Sequence, residues 1–291
     1  MSSQSSNPVF AKGNLAVITG GASGIGLALA TKCAGYGMKV IIVDNNASNL
    51  SDAKETINGD VETLEMDVSK IEDFEKLKNK ITKDYSGKIS LLVLNAGIGL
   101  KSDWTDSAYF HKIMDVNLFG VIHGLNTLLP LTTTSSSASS PSSIVITGSK
   151  QGITNPPGNP AYNASKAAVK ALAEHLSYDL AKSSPSTSVH LLVPGWTFTG
   201  LSGNSPFAKG EAKKEKPEGA WSSEQVVEFL EGKMGEGKFY VLCPDNDVSE
   251  ETDRKRMLWT ANDAVMGRPP LTRWREEYKD EAEKWMANVK I

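Results

Sequence analysis

The chain has 291 residues, and its 31 basic and 34 acidic residues give a formal net charge of −3. That length allows one large α/β domain or two small ones. Because acidic and basic residues nearly balance, the sequence gives no sign of the strongly basic surface by which proteins bind nucleic acid. No nucleic-acid partner is therefore expected.

The cysteines, histidines and apolar runs indicate a cytoplasmic protein without a metal site. Cys33 and Cys243 provide no disulfide framework, which is typical of a reducing compartment. The four histidines lack matching cysteines or carboxylates. Residues 1–8 are polar and are expected to form a disordered tail rather than a signal peptide. No apolar run approaches the roughly 20 residues of a membrane helix, so no membrane partner is expected.

A glycine-rich segment follows the first expected strand. The apolar run Leu15–Thr19 is typical of a strand buried on both faces. Residues 20–26 then carry the spacing Gly-x-x-x-Gly-x-Gly, and a helical pattern continues to Gly35. Such a turn lets backbone amides approach a pyrophosphate at a helix N-terminus. The same pattern also occurs in a plain strand–turn–helix connection.

An acidic residue ends the second expected strand, Lys39–Val43. At this place the carboxylate of Asp44 can accept hydrogen bonds from the ribose hydroxyls of a dinucleotide and repel a 2′-phosphate. Asn45 and Asn46 follow, and neither offers a cation to that phosphate. We therefore predict NAD rather than NADP; the alternative is an Asp that is merely solvated at a strand end.

The next strands alternate with helices. Strands are expected at Glu62–Val68 and Ile89–Leu94. This alternation predicts a parallel sheet with right-handed crossovers, and ligands bind beyond the carboxyl edge of such sheets. Asp67, Asn95 and Gly97 fall at that edge.

Two further segments precede the fifth strand. An expected helix over residues 107–129 contains Asn117 among apolar neighbours. Because a buried Asn must be hydrogen-bonded, Asn117 either belongs to the site or joins the helix to nearby backbone. The Ser/Thr-rich residues 132–143 are expected to form a flexible surface insertion.

A hydroxyl, a phenol and an ammonium are expected to converge. The strand Ile144–Thr147 places Ser149 at its carboxyl end, and a helix starting at residues 159–160 carries Tyr162 and Lys166 on one face. The chemistry that fits is proton transfer to or from an alcohol oxygen. A Tyr pKa of about 10 is too high for a base at neutral pH, and a neighbouring ammonium is expected to lower it. An ordinary surface pair is the alternative.

Six motifs resemble, in order and spacing, the short-chain dehydrogenase/reductase family with its Tyr-x-x-x-Lys active site. The motifs are Thr19-Gly-x-x-x-Gly-Ile-Gly26, Asn95-Ala-Gly97, Asn117, Ser149, Tyr162-Asn-Ala-Ser-Lys166 and Pro194-Gly195. The resemblance implies a Rossmann-like, doubly wound α/β domain with a seven-stranded parallel sheet and helices on both faces. This domain is expected over residues 9–247. The implied reaction is hydride transfer between a nicotinamide and an alcohol or carbonyl carbon.

The resemblance also implies residue roles. Tyr162 is expected to be the general acid/base, with Lys166 holding the nicotinamide ribose and lowering the Tyr pKa. Ser149 would orient the substrate oxygen, and Asn117 would hold a water that links Lys166 to solvent. The expected NAD-binding residues are Tyr162 and Lys166 themselves with Gly20, Ser23, Gly24, Ile25, Gly26, Asp44, Asp67, Val68, Asn95, Ala96, Gly97, Pro194, Thr197 and Thr199.

The expected substrate end is mostly apolar, which favours a medium-sized hydrophobic secondary alcohol or its ketone. Its expected walls, with Ser149, are Gln151, Ile153, Trp196 and Phe198, and further candidates are Ile98, Leu100, Lys150 and Phe207. Residues 200–220 lack clear periodicity and are expected to form a mobile substrate lid.

The chain departs from the family pattern at its end. Residues 248–291 are expected to form a helical extension packed on the same domain, with helices at Glu250–Val265 and Arg273–Val289. The extension either only packs there or also covers the active-site entrance or a subunit contact. Family members usually pair through the helices equivalent to those of Asn117 and Tyr162, which implies a homodimer or homotetramer. A catalytically silent NAD sensor or scaffold and a lyase or epimerase are the alternative functions.

Overall fold

The structure is a computed structural model that describes residues 7–99, 103–134, 136–202 and 215–291. Its central element is a parallel sheet of seven strands in the order β3-β2-β1-β4-β5-β6-β7. The strands are β1 (Leu15–Thr19), β2 (Lys39–Asp44), β3 (Asp60–Glu65), β4 (Leu91–Leu94), β5 (Ser142–Thr147), β6 (Thr187–Val193) and β7 (Tyr240–Leu242). The predicted doubly wound α/β fold is confirmed.

Helices cover both faces of the sheet because alternate strand residues point to opposite sides. Ala16 and Ile18 belong to one apolar core, and Leu15 and Val17 belong to the other. The α-helices are α1 (Gly24–Gly35), α2 (Ala47–Thr56), α3 (Ile71–Asp84), α4 (Ser107–Met114), α5 (Gly120–Thr133), α6 (Gln151–Thr154), α7 (Pro160–Ser183), α8 (Ser223–Gly235), α9 (Glu250–Val265) and α10 (Lys279–Asn288). Within the described ranges, none of these helices has the length and apolar character needed to span a membrane.

The order of the strands reverses at β1. This strand pairs with β2 on one side and with β4 on the other, so successive units of the chain wind away in opposite directions. In open parallel sheets, ligands bind in the crevice at such a switch point, beyond the carboxyl ends of the strands. The turns after β1 and β4 therefore frame the place where a site is expected.

Two predicted elements have different bounds. The third strand is Asp60–Glu65 rather than Glu62–Val68, because its pairing with β2 ends at Glu65. The helix predicted over 107–129 is interrupted by a π-helical turn at Asp115–Phe119 and then continues to the end of α5.

The predicted insertion at residues 132–143 is wrong at both of its ends. Thr132 is buried in α5, and Ser142 and Ser143 are buried in β5. The Ser142 hydroxyl donates to the Thr132 carbonyl at 2.8 Å, and the Ser143 hydroxyl lies 2.6 Å from that of Ser188. Because each hydroxyl has a partner, these short polar side chains are stable inside the fold. Residue 135 of the predicted insertion lies outside the described residues.

The predicted N-terminal tail is also too long. Asn7 accepts a hydrogen bond from the Val9 amide at 3.0 Å and so caps the 3-10 turn Pro8–Phe10. Phe10 is buried, which ties this turn to the apolar core next to the sheet. Residues 1–6 lie outside the described part of the chain.

The C-terminal segment forms α9 and α10, but its second helix begins later than the predicted Arg273. Two 3-10 turns, Thr272–Trp274 and Glu276–Tyr278, precede α10. The chain turns inward at Thr272, whose hydroxyl accepts a hydrogen bond from Trp259 Nε1 at 2.9 Å. The Trp259 and Trp285 rings pack edge to face with centroids 5.4 Å apart. The segment thus has a small core of its own, and α9 also contacts α6.

Candidate active site

A cleft of about 900 Å³ runs along the carboxyl edge of the sheet. This volume is near the upper end of the roughly 300–1,000 Å³ range of small-molecule and cofactor pockets. The turns that follow the first six strands contribute to its walls, together with α4 and α7. The predicted site residues that line it are Gly20, Ser23, Gly24, Ile25, Asp44, Asp67, Val68, Asn95, Ala96, Gly97, Ser149, Gln151, Tyr162, Lys166, Pro194, Trp196, Thr197 and Thr199.

The glycine turn after β1 forms one end of the cleft. Gly20 and Gly24 have φ values of +63° and +51°, a backbone conformation that residues other than glycine rarely adopt. A Cβ at Gly20 would also lie 2.9 Å from Ala96 Cα. The cap residue Ser23 makes no side-chain hydrogen bond to the first turn of α1. That turn therefore presents backbone N–H groups that favour an anion.

Gly26 is a predicted site residue that does not line the cleft. It is buried in the first turn of α1, and a Cβ there would lie 2.1 Å from the Gly20 carbonyl oxygen. Its missing side chain therefore permits the close packing of the turn against the helix rather than contact with a ligand.

Asp44 lies at the end of β2, half-buried in the cleft wall. Its carboxylate accepts hydrogen bonds from the backbone amides of Ala22, at 3.3 Å, and Asn46, at 3.1 Å. Burial raises the pKa of this carboxyl, and the backbone hydrogen bonds partly oppose that rise. Because a carboxylate has about four acceptor sites, Asp44 can still accept hydrogen bonds from a ligand.

A hydrogen-bond network joins the turns after β1, β4 and β5. The Thr19 hydroxyl accepts from the Asn95 amide at 2.9 Å and from the Ala96 amide at 3.0 Å. The Asn95 side chain donates to the Thr19 carbonyl at 3.2 Å and accepts from the Thr147 hydroxyl at 3.0 Å. Asn95 therefore holds three turns of the cleft together.

Ser149, Tyr162 and Lys166 meet at the wall of this cleft. Asn159 caps α7 by accepting the Tyr162 amide at 3.2 Å, which fixes the first turn of the helix. Ser149 and Tyr162 both line the cleft, and the Ser149 side chain is close enough to the phenol to act on its pKa. Lys166 Nζ lies 5.9 Å from the centroid of the Tyr162 ring and donates to the Thr147 carbonyl at 2.8 Å. The structure thus brings together the three groups that the sequence predicts.

The predicted lowering of the Tyr162 pKa by Lys166 is wrong for this geometry. Burial raises the pKa of the phenol, and the nearby Ser149 side chain only partly offsets that rise. Burial also lowers the pKa of Lys166 to about 8. The Lys166 ammonium donates to the Thr147 carbonyl rather than to the phenol. The loss of hydration is therefore the largest influence on the pKa values of both Tyr162 and Lys166.

Asn117 is fully buried behind the cleft, within the π-helical turn. Its side-chain amide donates to the Ile98 carbonyl at 3.0 Å and to the Ser165 hydroxyl at 3.2 Å, and it accepts from the Ile98 amide at 2.8 Å. A Cβ at Gly97 would lie 3.3 Å from Asn117 Oδ1 and 3.6 Å from Lys166 Nζ. The Asn117 side chain therefore joins its helix to the Ile98 backbone next to the reaction centre. This is the structural alternative that the sequence left open.

The substrate end differs from the prediction at two residues. Ile153 packs against the apolar core, and neither Ile153 nor Phe198, whose amide donates to the Trp221 carbonyl at 2.9 Å, lines the cleft. Trp196 lines the cleft and is 48% exposed. Ile98 and Leu201 line it as well. The predicted wall residues Leu100 and Phe207, and most of the predicted lid, fall outside the described residues.

Sequence reasoning missed several wall residues. Lys112 and Val116 line the cleft from the segment after β4. Their spacing of four residues on one helical segment was a usable signal, because it places both on one face. Lys150, a candidate that the sequence does offer, lines the cleft, but its side chain forms ion pairs with Asp245 and Asp253. No local pattern in the sequence predicts that pairing.

Comparison with protein families and curated proteins gives three results. The family model described as short chain dehydrogenase matches residues 14–208. An uncharacterized oxidoreductase of Staphylococcus saprophyticus is 34% identical over 209 residues, which cover 70% of this chain and 86% of that protein. The NADP-dependent (R)-specific alcohol dehydrogenase of Lentilactobacillus kefiri is 32% identical over 194 residues, which cover 65% of this chain and 75% of that protein.

A solved structure shares the fold. The short-chain dehydrogenase/reductase from Burkholderia phymatum, in complex with NAD, matches with a TM-score of 0.76 and 26% sequence identity. The match covers 89% of this chain and 96% of that one.

The buried ammonium predicts a measurable dependence of stability on pH. The pKa of Lys166 is about 8 in the folded chain, compared with 10.5 for an unperturbed lysine, the value taken for the unfolded chain. Burial of the charge therefore lowers the free energy of unfolding by its full amount below pH 8, and this loss of stability disappears as pH rises toward 10.5. The shift corresponds to a free energy on the order of 3 kcal/mol. Lys166→Met is therefore expected to raise the free energy of unfolding at pH 7, with a gain that shrinks by pH 10. Denaturant titrations of both proteins at several pH values test this; a gain independent of pH would contradict it.

Proposed function

The chain belongs to the short-chain dehydrogenase/reductase family of oxidoreductases, and we propose that it interconverts a secondary alcohol and a ketone with NAD(H). The observation that carries this proposal is one shared cleft. It holds Tyr162, Ser149 and Lys166, and its wall also contains the glycine turn and Asp44. A proton-transfer group and the features of a dinucleotide site therefore face the same space.

The residues present fit a dinucleotide. The first turn of α1 has no side-chain cap, so its backbone N–H groups would hold the pyrophosphate. Glycine is required at position 20 in the preceding turn, because a Cβ there would collide with Ala96. Asp44 would accept the adenosine ribose hydroxyls, with Asp67 and Val68 beside the adenine. Lys166 and Tyr162 would hold the nicotinamide ribose, and Pro194, Thr197 and Thr199 would hold the carboxamide. When bound, the cofactor would accept or supply the hydride.

Tyr162 would move the proton. In ketone reduction the phenol donates its proton to the substrate oxygen, and a raised pKa keeps the phenol protonated at neutral pH. In alcohol oxidation the phenolate accepts the proton, so oxidation should accelerate as pH rises. The Ser149 hydroxyl, which lines the same cleft, would hold the substrate oxygen beside the phenol.

The substrate class and assembly are further parts of the proposal. Trp196, Ile98 and Leu201 give the open end of the cleft an apolar character, which favours a medium-sized hydrophobic alcohol or ketone. We propose a cytoplasmic enzyme whose catalytic domain spans residues 9–247, with residues 248–291 as an extension. A homodimer or homotetramer would form through the helices of Asn117 and Tyr162.

Replacing the proton donor tests the mechanism. Tyr162→Phe keeps the ring but removes the hydroxyl, so kcat should fall by roughly 10²–10⁴-fold, the usual contribution of a general acid or base. NADH binding, followed by fluorescence, should persist. Tyr178→Phe is the matched control, because Tyr178 lies on the same helix and is 64% exposed. Wild-type turnover in Tyr162→Phe would refute the role. Net NADH formation from a secondary alcohol by the wild type separates a dehydrogenase from a silent sensor, a lyase or an epimerase.

Cofactor choice is tested at Asp44. The carboxylate would repel a 2′-phosphate, so kcat/KM should be higher with NAD than with NADP. Asp44→Asn keeps an acceptor for the Ala22 amide but removes the charge. It should lower the NAD/NADP ratio about 10-fold, which corresponds to about 1.4 kcal/mol. Glu55→Gln, on the neighbouring α2, makes the same charge change away from the cleft wall and should leave the ratio unaltered. A wild-type preference for NADP would overturn the assignment.

A further inference from the structure

A buried ion-pair cluster lies next to the reaction centre. Lys150 directly follows Ser149, and its side chain is only 14% exposed. It forms an ion pair with Asp253 of α9 and a second one, at 3.4 Å, with Asp245 in the loop after β7. The C-terminal extension therefore reaches the residue beside the catalytic hydroxyl.

The same cluster holds the loop after β6. Asp245 accepts a hydrogen bond from the Trp196 amide at 3.3 Å. A Cβ at Gly195 would lie 2.7 Å from Lys150 Nζ and 2.9 Å from Asp245 Oδ2, so this loop packs directly against the pair. The loops that carry Ser149 and Trp196 form two walls of the substrate end, and one lysine connects both of them to α9.

The pairing is energetically demanding to break. The Asp253 side chain is 2% exposed, and a second cation, Arg256, lies 3.8 Å from its carboxylate. Removing one partner from this buried cluster leaves the remaining charge with weaker compensation and is therefore destabilising. On the other side of α9, Trp259 is buried and hydrogen-bonded to Thr272, so the helix itself is firmly held. Asp253 is thus a fixed point against which Lys150 is placed.

We propose that Lys150 is a positioning residue for the oxidoreductase reaction: through Asp245 and Asp253 it fixes the Ser149 and Trp196 loops, and the C-terminal extension thereby completes the substrate end. The inference rests on the proposed function. It assigns a catalytic purpose to the extension, which departs from the family pattern, without giving the extension any contact with the reacting atoms.

Kinetics of three variants test the role. Lys150→Met and Asp253→Asn should lower kcat for alcohol oxidation by roughly 10- to 100-fold, because small displacements of oriented groups have effects of that size. The affinity for NADH should fall less than kcat does, since only the proposed carboxamide contacts lie on the positioned loop, whereas the glycine turn and Asp44 lie at the other end of the cleft. Lys150→Arg, which retains the charge, should restore most of kcat. Glu251→Gln is the matched control, because it removes the ion pair with Lys255 on the same helix and the Glu251 side chain is 66% exposed.

Two further measurements separate positioning from general destabilisation. In a double-mutant cycle, Lys150→Met with Asp253→Asn should lower kcat no more than the worse single variant does, as expected for residues that act as a unit. Hydrogen exchange in Asp253→Asn should accelerate in residues 148–155 and 194–199, with β1 and β4 unaltered. Wild-type kcat in both single variants, or additive losses without faster exchange in those loops, would overturn the proposal. No turnover by the wild type would refute the proposed function, and hydrogen exchange alone would then decide the positioning claim.

Discussion

The reaction centre depends on the burial of two titratable side chains whose charged forms both lose hydration. Opposite unit charges about 4 Å apart attract by about 4 kcal/mol at an effective dielectric of about 20. Lys166 does not use that attraction here, because its ammonium bonds the Thr147 carbonyl at 2.8 Å. Desolvation therefore prevails: the pKa of Tyr162 is raised and that of Lys166 is lowered to about 8. The phenol is poised as a proton donor rather than as a base.

The sheet explains why these groups face a dinucleotide-sized cleft. The glycine turn after β1 and the turn after β4 lie side by side because the strand order reverses there. Asn95 bonds the Thr19 carbonyl and the Thr147 hydroxyl, so one side chain joins the anion-binding turn to the strand that ends before Ser149. The hydrogen bonds of Asn95 consequently hold both the cofactor end and the proton-transfer end of the cleft. The extension adds a second constraint at the substrate end, through Lys150.

Local spacing accounts for what could be predicted from the sequence. Tyr162 and Lys166 share a face because they are four residues apart on one helix, and Gly20 is required where the backbone adopts a φ of +63°. The buried strands could be located because each appears in the sequence as a short continuous run of apolar residues. Which side chains near the cleft face it was not predictable from local spacing, since Ile153 packs against the core instead and Phe198 does not line the cleft. The Lys150–Asp245 contact joins residues 95 positions apart, which no local pattern reports.

The most direct test of this account is a spectroscopic titration of Tyr162 in the cofactor-free protein. The difference in phenolate absorbance between the wild type and Tyr162→Phe, followed from pH 6 upward, isolates this one hydroxyl. Because burial outweighs the influence of Lys166, the account predicts that Tyr162 ionises above the ordinary tyrosine pKa of about 10. Ionisation near pH 7 would show that the ammonium controls the phenol instead, and would contradict the account.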